Sequence, residues 1–111
     1  MARYEMDRAK DVALSSKEGI DAALQQHKLD ALLFPGGSGA AIAAKPGYPT
    51  VIVPFGLIPN APTPPLPTGF NARPAPFGVA FTGTACSEPR LIEVAYAFEQ
   101  ATKRRIPPML D

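Results

Sequence analysis

Ser38, Lys10, His27 and Cys86 have the surroundings most suggestive of covalent or proton-transfer chemistry. Ser38 lies in the run Gly36-Gly37-Ser38-Gly39, where a hydroxyl in a small-residue turn could act as a nucleophile if a base reached it. Those glycines equally suit a flexible turn, because they permit positive φ, and the turn is the reading adopted. Lys10-Asp11 sets a lysine beside a carboxylate, but in a polar, proline-free stretch that reads as a solvated helix face. His27, the single histidine, stands near a predicted helix C-terminus, where a dipole-complementing side chain is favoured, and is assigned a structural role. Cys86, the single cysteine, has no lysine or arginine in the three residues before it, although Arg90 follows. It too is read as structural.

The elements that must position these residues are bounded first by size. A chain of 111 residues and 11.7 kDa allows one modest domain, residues 1–111. Apolar residues make up 46% and charged ones 19%, which suits a folding chain rather than a charge-rich disordered one. With 11 basic and 10 acidic side chains the net charge is +1, so nothing favours nucleic acid or an anionic membrane, and neither is expected as a partner. One cysteine cannot form an internal disulfide, and there is no metal-type Cys/His cluster, so no metal or cofactor is expected. No apolar secretory segment follows Met1 and no run approaches membrane-spanning length, so a cytoplasmic setting is expected.

Prolines and glycines, 14 and 9 of them, draw the map. Residues 2–28 contain no proline and read as two short helices broken near Ser15, whose spacing to Glu18 matches a capping box. Ile20, Ala23, Leu24 and His27 would form the second helix's buried face. Leu29 to Phe34 reads as a strand of the kind covered on both faces, and Thr50 to Val53, ending at Pro54, as a second. Between them a helical turn is expected at Ala40 to Ala44. Seven prolines between Pro59 and Pro76 make residues 59–76 a long surface loop. Phe77 to Thr84 supplies a third strand. A last helix opens at Ser87, with Pro89 in its first turn, and runs to about Arg104, where Pro107 and Pro108 stop it. Leu91, Ala95, Phe98 and Thr102, with Ile92 and Val94 beside them, are its expected inward face. The fold class is α/β, about three strands with two or three helices.

Four blocks then carry a resemblance: Leu29 to Pro35 (LDALLFP), Gly47 to Pro54 (GYPTVIVP), Pro76 to Gly83 (PFGVAFTG) and Ser87 to Pro108 (SEPRLIEVAYAFEQATKRRIPP). In this order they resemble successive C-terminal blocks of the amidase-signature family, which includes the A subunit of glutamyl-tRNA amidotransferase. The resemblance covers nearly the whole chain and implies a fragment of that family's α/β/α layered fold. It also implies a hydrolase of carboxylic amides, in which a lysine acts through a bridging cis-serine on a nucleophilic serine and backbone amides hold the oxyanion. Those parts lie far upstream in the family, so no catalytic residue is assigned here and the chain alone is expected not to hydrolyse amides. Gly36-Gly37-Ser38-Gly39 is similar to the family's Gly-Gly-Ser-Ser-Gly-Gly signature, but has one serine where two are needed and follows the LDALLFP strand.

Tyr48 and Thr50 border the strand that, in the family, passes near the substrate channel. With Gly39 they are the candidates for lining it. The implied ligand is a small amide, met only in a full-length context. Strand edges left unpaired predict self-association. The alternative is a stand-alone, non-catalytic binding module with a proline-rich interaction loop. Pro62 to Pro65 has a P-x-x-P spacing, but without a flanking basic residue.

Overall fold

The computed structural model describes residues 1–107, which leaves Pro108, one of the two expected helix stops, outside the described residues. The chain starts with α1 (Ala2–Ser15), passes through a π-helical turn (Ser16–Ile20) and continues as α2 (Asp21–His27). The expected break at Ser15 is therefore a change of helical pitch. Ser15 makes no side-chain cap; the backbone N–H of Ser16 bonds to the Val12 carbonyl, and the Ser16 hydroxyl donates to the same oxygen at 2.7 Å. This local bond satisfies a buried hydroxyl without ending the helix. Lys28, in the left-handed region at φ 51°, ends α2. Ile20 and Leu24 are buried as expected, but the face stops there, and His27 is exposed.

Three strands follow: β1 (Leu32–Pro35), β2 (Thr50–Ile58) and β3 (Ala75–Thr82), with the short helix α3 (Ala40–Ala44) between the first two. They form one sheet in the order β1-β3-β2, antiparallel throughout. β1 begins later than the sequence suggests and alternates half-buried with exposed residues, so it is not covered on both faces. Leu33, for example, is 59% exposed. Alternation of this kind belongs to an antiparallel edge strand with one wet face. β2 does not end at Pro54. It runs to Ile58 across an irregularity between Pro54 and Gly56, because a strand paired on one side only tolerates a proline and a bulge. Residues 59–74 carry no helix or strand, and β3 starts at Ala75, inside the predicted loop.

α4 (Glu88–Thr102) covers one face of the sheet. Val53, Val79 and Phe81 meet its Leu91 and Ala95 in one buried cluster, and the Phe81 and Phe98 rings pack edge to face at 5.6 Å. Val94 packs against this cluster, whereas Ile92, expected to face inward, is 59% exposed. A second cluster joins Ile20, Leu24 and Ala43, with Leu32, Ile42 and Tyr48 against it. Burying Ile20 and Leu91 completely is worth about 1.5–3 kcal/mol each, so the two clusters hold the helical segments and the sheet together. α4 ends at Lys103, φ 46°, whose N–H bonds back to the Glu99 carbonyl at 2.8 Å. Thus Lys103, Arg104 and Arg105 follow the negative end of the helix dipole.

Candidate functional site

The segment from β1 to β2 carries every residue assigned to a channel wall. Gly36, at φ +56°, turns the chain out of β1, and its N–H donates to the Gly78 carbonyl at 2.8 Å. Gly39 is buried where the Phe34 ring lies so close that a Cβ would overlap it. Only glycine fits that approach. α3 follows, and the Tyr48 N–H closes its end on the Ala43 carbonyl at 2.9 Å.

The Tyr48 hydroxyl donates to Asp21 Oδ2 at 2.9 Å, tying the start of β2 to α2. Burial, and then the hydrogen bond and charge of Asp21, push the Tyr48 hydroxyl above its ordinary pKa. Asp21 Oδ1 is buried and has no hydrogen-bond partner among the described residues. Thr50 stands opposite Thr82, their hydroxyl oxygens 2.8 Å apart; Thr82 is fully buried and Thr50 exposed. The three candidates therefore share one stretch of chain but are engaged separately: Gly39 under a ring, Tyr48 on a carboxylate, Thr50 on a second threonine.

Ser38 is exposed, and its hydroxyl donates to the Pro35 carbonyl at 2.8 Å, so its partner is a backbone acceptor rather than a base. Lys10 is exposed on α1, while Asp11 pairs with Lys45 at 3.2 Å. His27 and Cys86 are exposed, Cys86 at φ 60° in the turn before α4. Ser87 precedes α4 as expected, but its hydroxyl donates back to the Thr84 carbonyl at 2.7 Å instead of capping a helical N–H. Among the described residues no group of three or more His, Cys, Asp or Glu side chains is placed to hold a metal, and no helix is long and apolar enough to cross a membrane.

One feature escapes sequence reasoning altogether. An open groove of about 400 Å³ lies along the β2–β3 ladder, lined by Ile52, Pro54 and Leu57 of β2 and Pro76 and Phe77 of β3 and flanked by Arg104 and Arg105. The Arg104 guanidinium sits 5.1 Å from the centre of the Phe55 ring. The signals were an apolar strand continuing past its proline and a basic cluster after a helix, which the fold alone brings together.

No family model matches the chain. It is similar to a protein of Arabidopsis thaliana described as a probable amidase, 38% identical over 93 residues, which make up 84% of this chain and 16% of the relative. Among solved structures, the native peptide amidase of Stenotrophomonas maltophilia is 42% identical, with a TM-score of 0.77 over 97% of this chain and 22% of that one. An amidase family protein from Bacillus anthracis strain Ames is 28% identical, with a TM-score of 0.67 over 93% of this chain and 17% of that one. The chain thus spans between 16% and 22% of the length of these proteins.

Proposed function

We propose that the chain is a segment of the C-terminal part of an amidase-signature protein, and that it completes the fold of a longer amidase and lines its substrate channel without supplying catalytic groups. The observation that carries this reading is the match of 97% of the chain to about a fifth of a peptide amidase, at a TM-score of 0.77. A piece that reproduces its part of a larger enzyme so closely is built to be packed against the remainder. The hydrolysis of a carboxylic amide, by the serine–cis-serine–lysine chemistry that the family resemblance implies, belongs to that remainder. Gly39, Tyr48 and Thr50 contribute a wall. The close packing under Gly39 and the Asp21 anchor on Tyr48 support this role by holding the segment's shape, while Thr50 presents an exposed surface.

The near balance of 11 basic and 10 acidic residues supports a small amide, rather than a polyanion, as the ligand of the longer protein. The relatives described above are named amidases, which favours an amidase over an amidotransferase subunit. A cytoplasmic setting is part of the reading, supported by the exposed, unpaired Cys86. On its own the chain covers its open strand edges by self-association.

The test is an assay of the purified chain against simple carboxylic amides. No turnover above buffer is expected, since Ser38 is engaged with a carbonyl and no described base touches it. Turnover that Ser38→Ala abolishes would place the nucleophile in this loop and overturn the reading.

A further inference from the structure

None of the three strands contains a charged residue. For β3, flanked on both sides, this is ordinary; for β2 it is not. β2 is a nine-residue strand at the edge of the sheet, and four of its side chains are exposed apolar groups: Ile52 59%, Phe55 39%, Leu57 48% and Ile58 41%. Edge strands that face water are protected by charges, prolines, bulges or a covering element. Pro54 and the bulge beside it blunt the middle of this edge, Pro49 and Pro59 flank its two ends, and within it Ile52 and Leu57 stay exposed. β1, the other edge, is only four residues long and offers little to a partner.

The exposed apolar groups of the two long helices are set among charges, and Leu33 on the short β1 and Phe70 in the 59–74 segment are single side chains. On α4, Ile92 and Tyr96 are 59% and 62% exposed, but Arg90 beside them holds Glu93 at 2.8 Å and Asp30 at 3.2 Å, a hydrated ion-pair belt. On α1, Tyr4 and Met6 alternate with Arg3, Glu5, Asp7 and Arg8. The uncharged β2–β3 ladder carries the apolar groove of about 400 Å³ described above, and β2 is the edge strand of that ladder. The groove's rim is basic. Arg104 is occupied by the Phe55 ring, and Arg105 has no ion-pair partner among the described residues.

Resting on the family reading above, we propose that the β2 edge and its groove are the surface on which the remainder of the amidase polypeptide packs. An extended apolar segment of that remainder adds to β2, sets its side chains against Ile52 and Leu57 and turns a carboxylate toward Arg105. Main-chain pairing at an edge supplies affinity and the groove supplies register. The occupant's length is available: the relatives extend over roughly five times the span of this chain, which covers 16% to 22% of them.

The test is a single-polypeptide chimera in which this chain replaces the matching segment of the Stenotrophomonas maltophilia peptide amidase, followed by melting temperature and amide hydrolysis. Ile52→Asp and Leu57→Asp should each lower the chimera's Tm by about 5 °C or more, because each drives a charge into a covered apolar surface. Arg105→Glu should lower it less, and Ile92→Asp on the hydrated α4 face should leave Tm and activity unchanged. The same β2 substitutions in the dilute isolated chain, where both side chains face water, should leave its own melting unchanged, which separates lost docking from lost folding. An active chimera that tolerates both β2 changes and is damaged by Ile92→Asp overturns this surface while the family reading stands. A chimera that dimerises through β2, and is released to a stable monomer by Leu57→Asp, puts a second copy there and also overturns it. An unmutated chimera that neither folds nor hydrolyses overturns the family reading, and the inference with it.

Discussion

The hydroxyl of Thr82 is fully buried and meets Thr50, an exposed residue, at 2.8 Å. The pair is asymmetric in consequence. Removing the Thr50 hydroxyl leaves the buried Thr82 hydroxyl without this partner, so Thr50→Val should destabilise the chain by about 1 kcal/mol or more although the site itself is exposed. Removing both hydroxyls should cost less than the sum of the single changes, which urea midpoints of the double-mutant cycle would show. Tyr48 offers a pH test at the same scale. Its folded pKa lies above the ordinary value of 10.0 because burial and Asp21 oppose the phenolate. Protonated Tyr48 therefore contributes fully below that value, and the contribution is lost as pH rises from 10.0 through the folded pKa. Urea midpoints measured across this alkaline range should fall less steeply in Tyr48→Phe than in the parent, and an identical fall would show that the Asp21 contact does not set the titration.

At the scale of elements, the π turn is the most specific demand the fold makes. A Cβ on Gly19 would stand 2.5 Å from the Leu14 carbonyl oxygen, five residues back, because the wider turn brings that oxygen across the glycine. In an ordinary helix Gly→Ala gains up to about 1 kcal/mol. Here Gly19→Ala should lose about 1–3 kcal/mol through the clash, a reversal of sign that thermal melting would register. A gain would mean that the turn relaxes to α without penalty. The same elements show what sequence could deliver. α3 and the body of α4 were legible because apolar spacing and the glycines and prolines that punctuate it act within a few positions, even though Ser87 makes no side-chain cap. The π turn was not, since its bonds leave no distinct apolar period and the Ser15–Glu18 spacing imitates a cap. The extension of β2 was hidden because Pro54 stops a strand only where both sides are paired, and edge position is not a local property. Of the candidate site, Gly39, Tyr48 and Thr50 could be named as residues, but their partners could not: Asp21 and Thr82 lie 27 and 32 positions away.

For the whole molecule, shape and surface point the same way. Its radius of gyration is 17.7 Å and it extends 52 × 37 × 22 Å, against about 13 Å for a compact domain near this size. The excess reflects a chain with long exposed stretches: the first ten residues, all within or preceding most of α1, are exposed, and the sheet is closed at neither edge. Such a body leaves apolar area in water that association would remove, at about 25 cal/mol per Å². On the proposed reading the remainder of a longer amidase takes that area, and in isolation another copy is the expected substitute. Light scattering over a dilution series should therefore show mass falling toward that of one chain only as concentration drops, and Leu57→Asp should shift the series toward the monomer. A wild-type chain that stays monomeric at every concentration would mean that water solvates the β2 edge at no great cost. The self-association reading would then fail, while the inactivity expected of the isolated chain rests on the separate placement of Ser38 and would still stand.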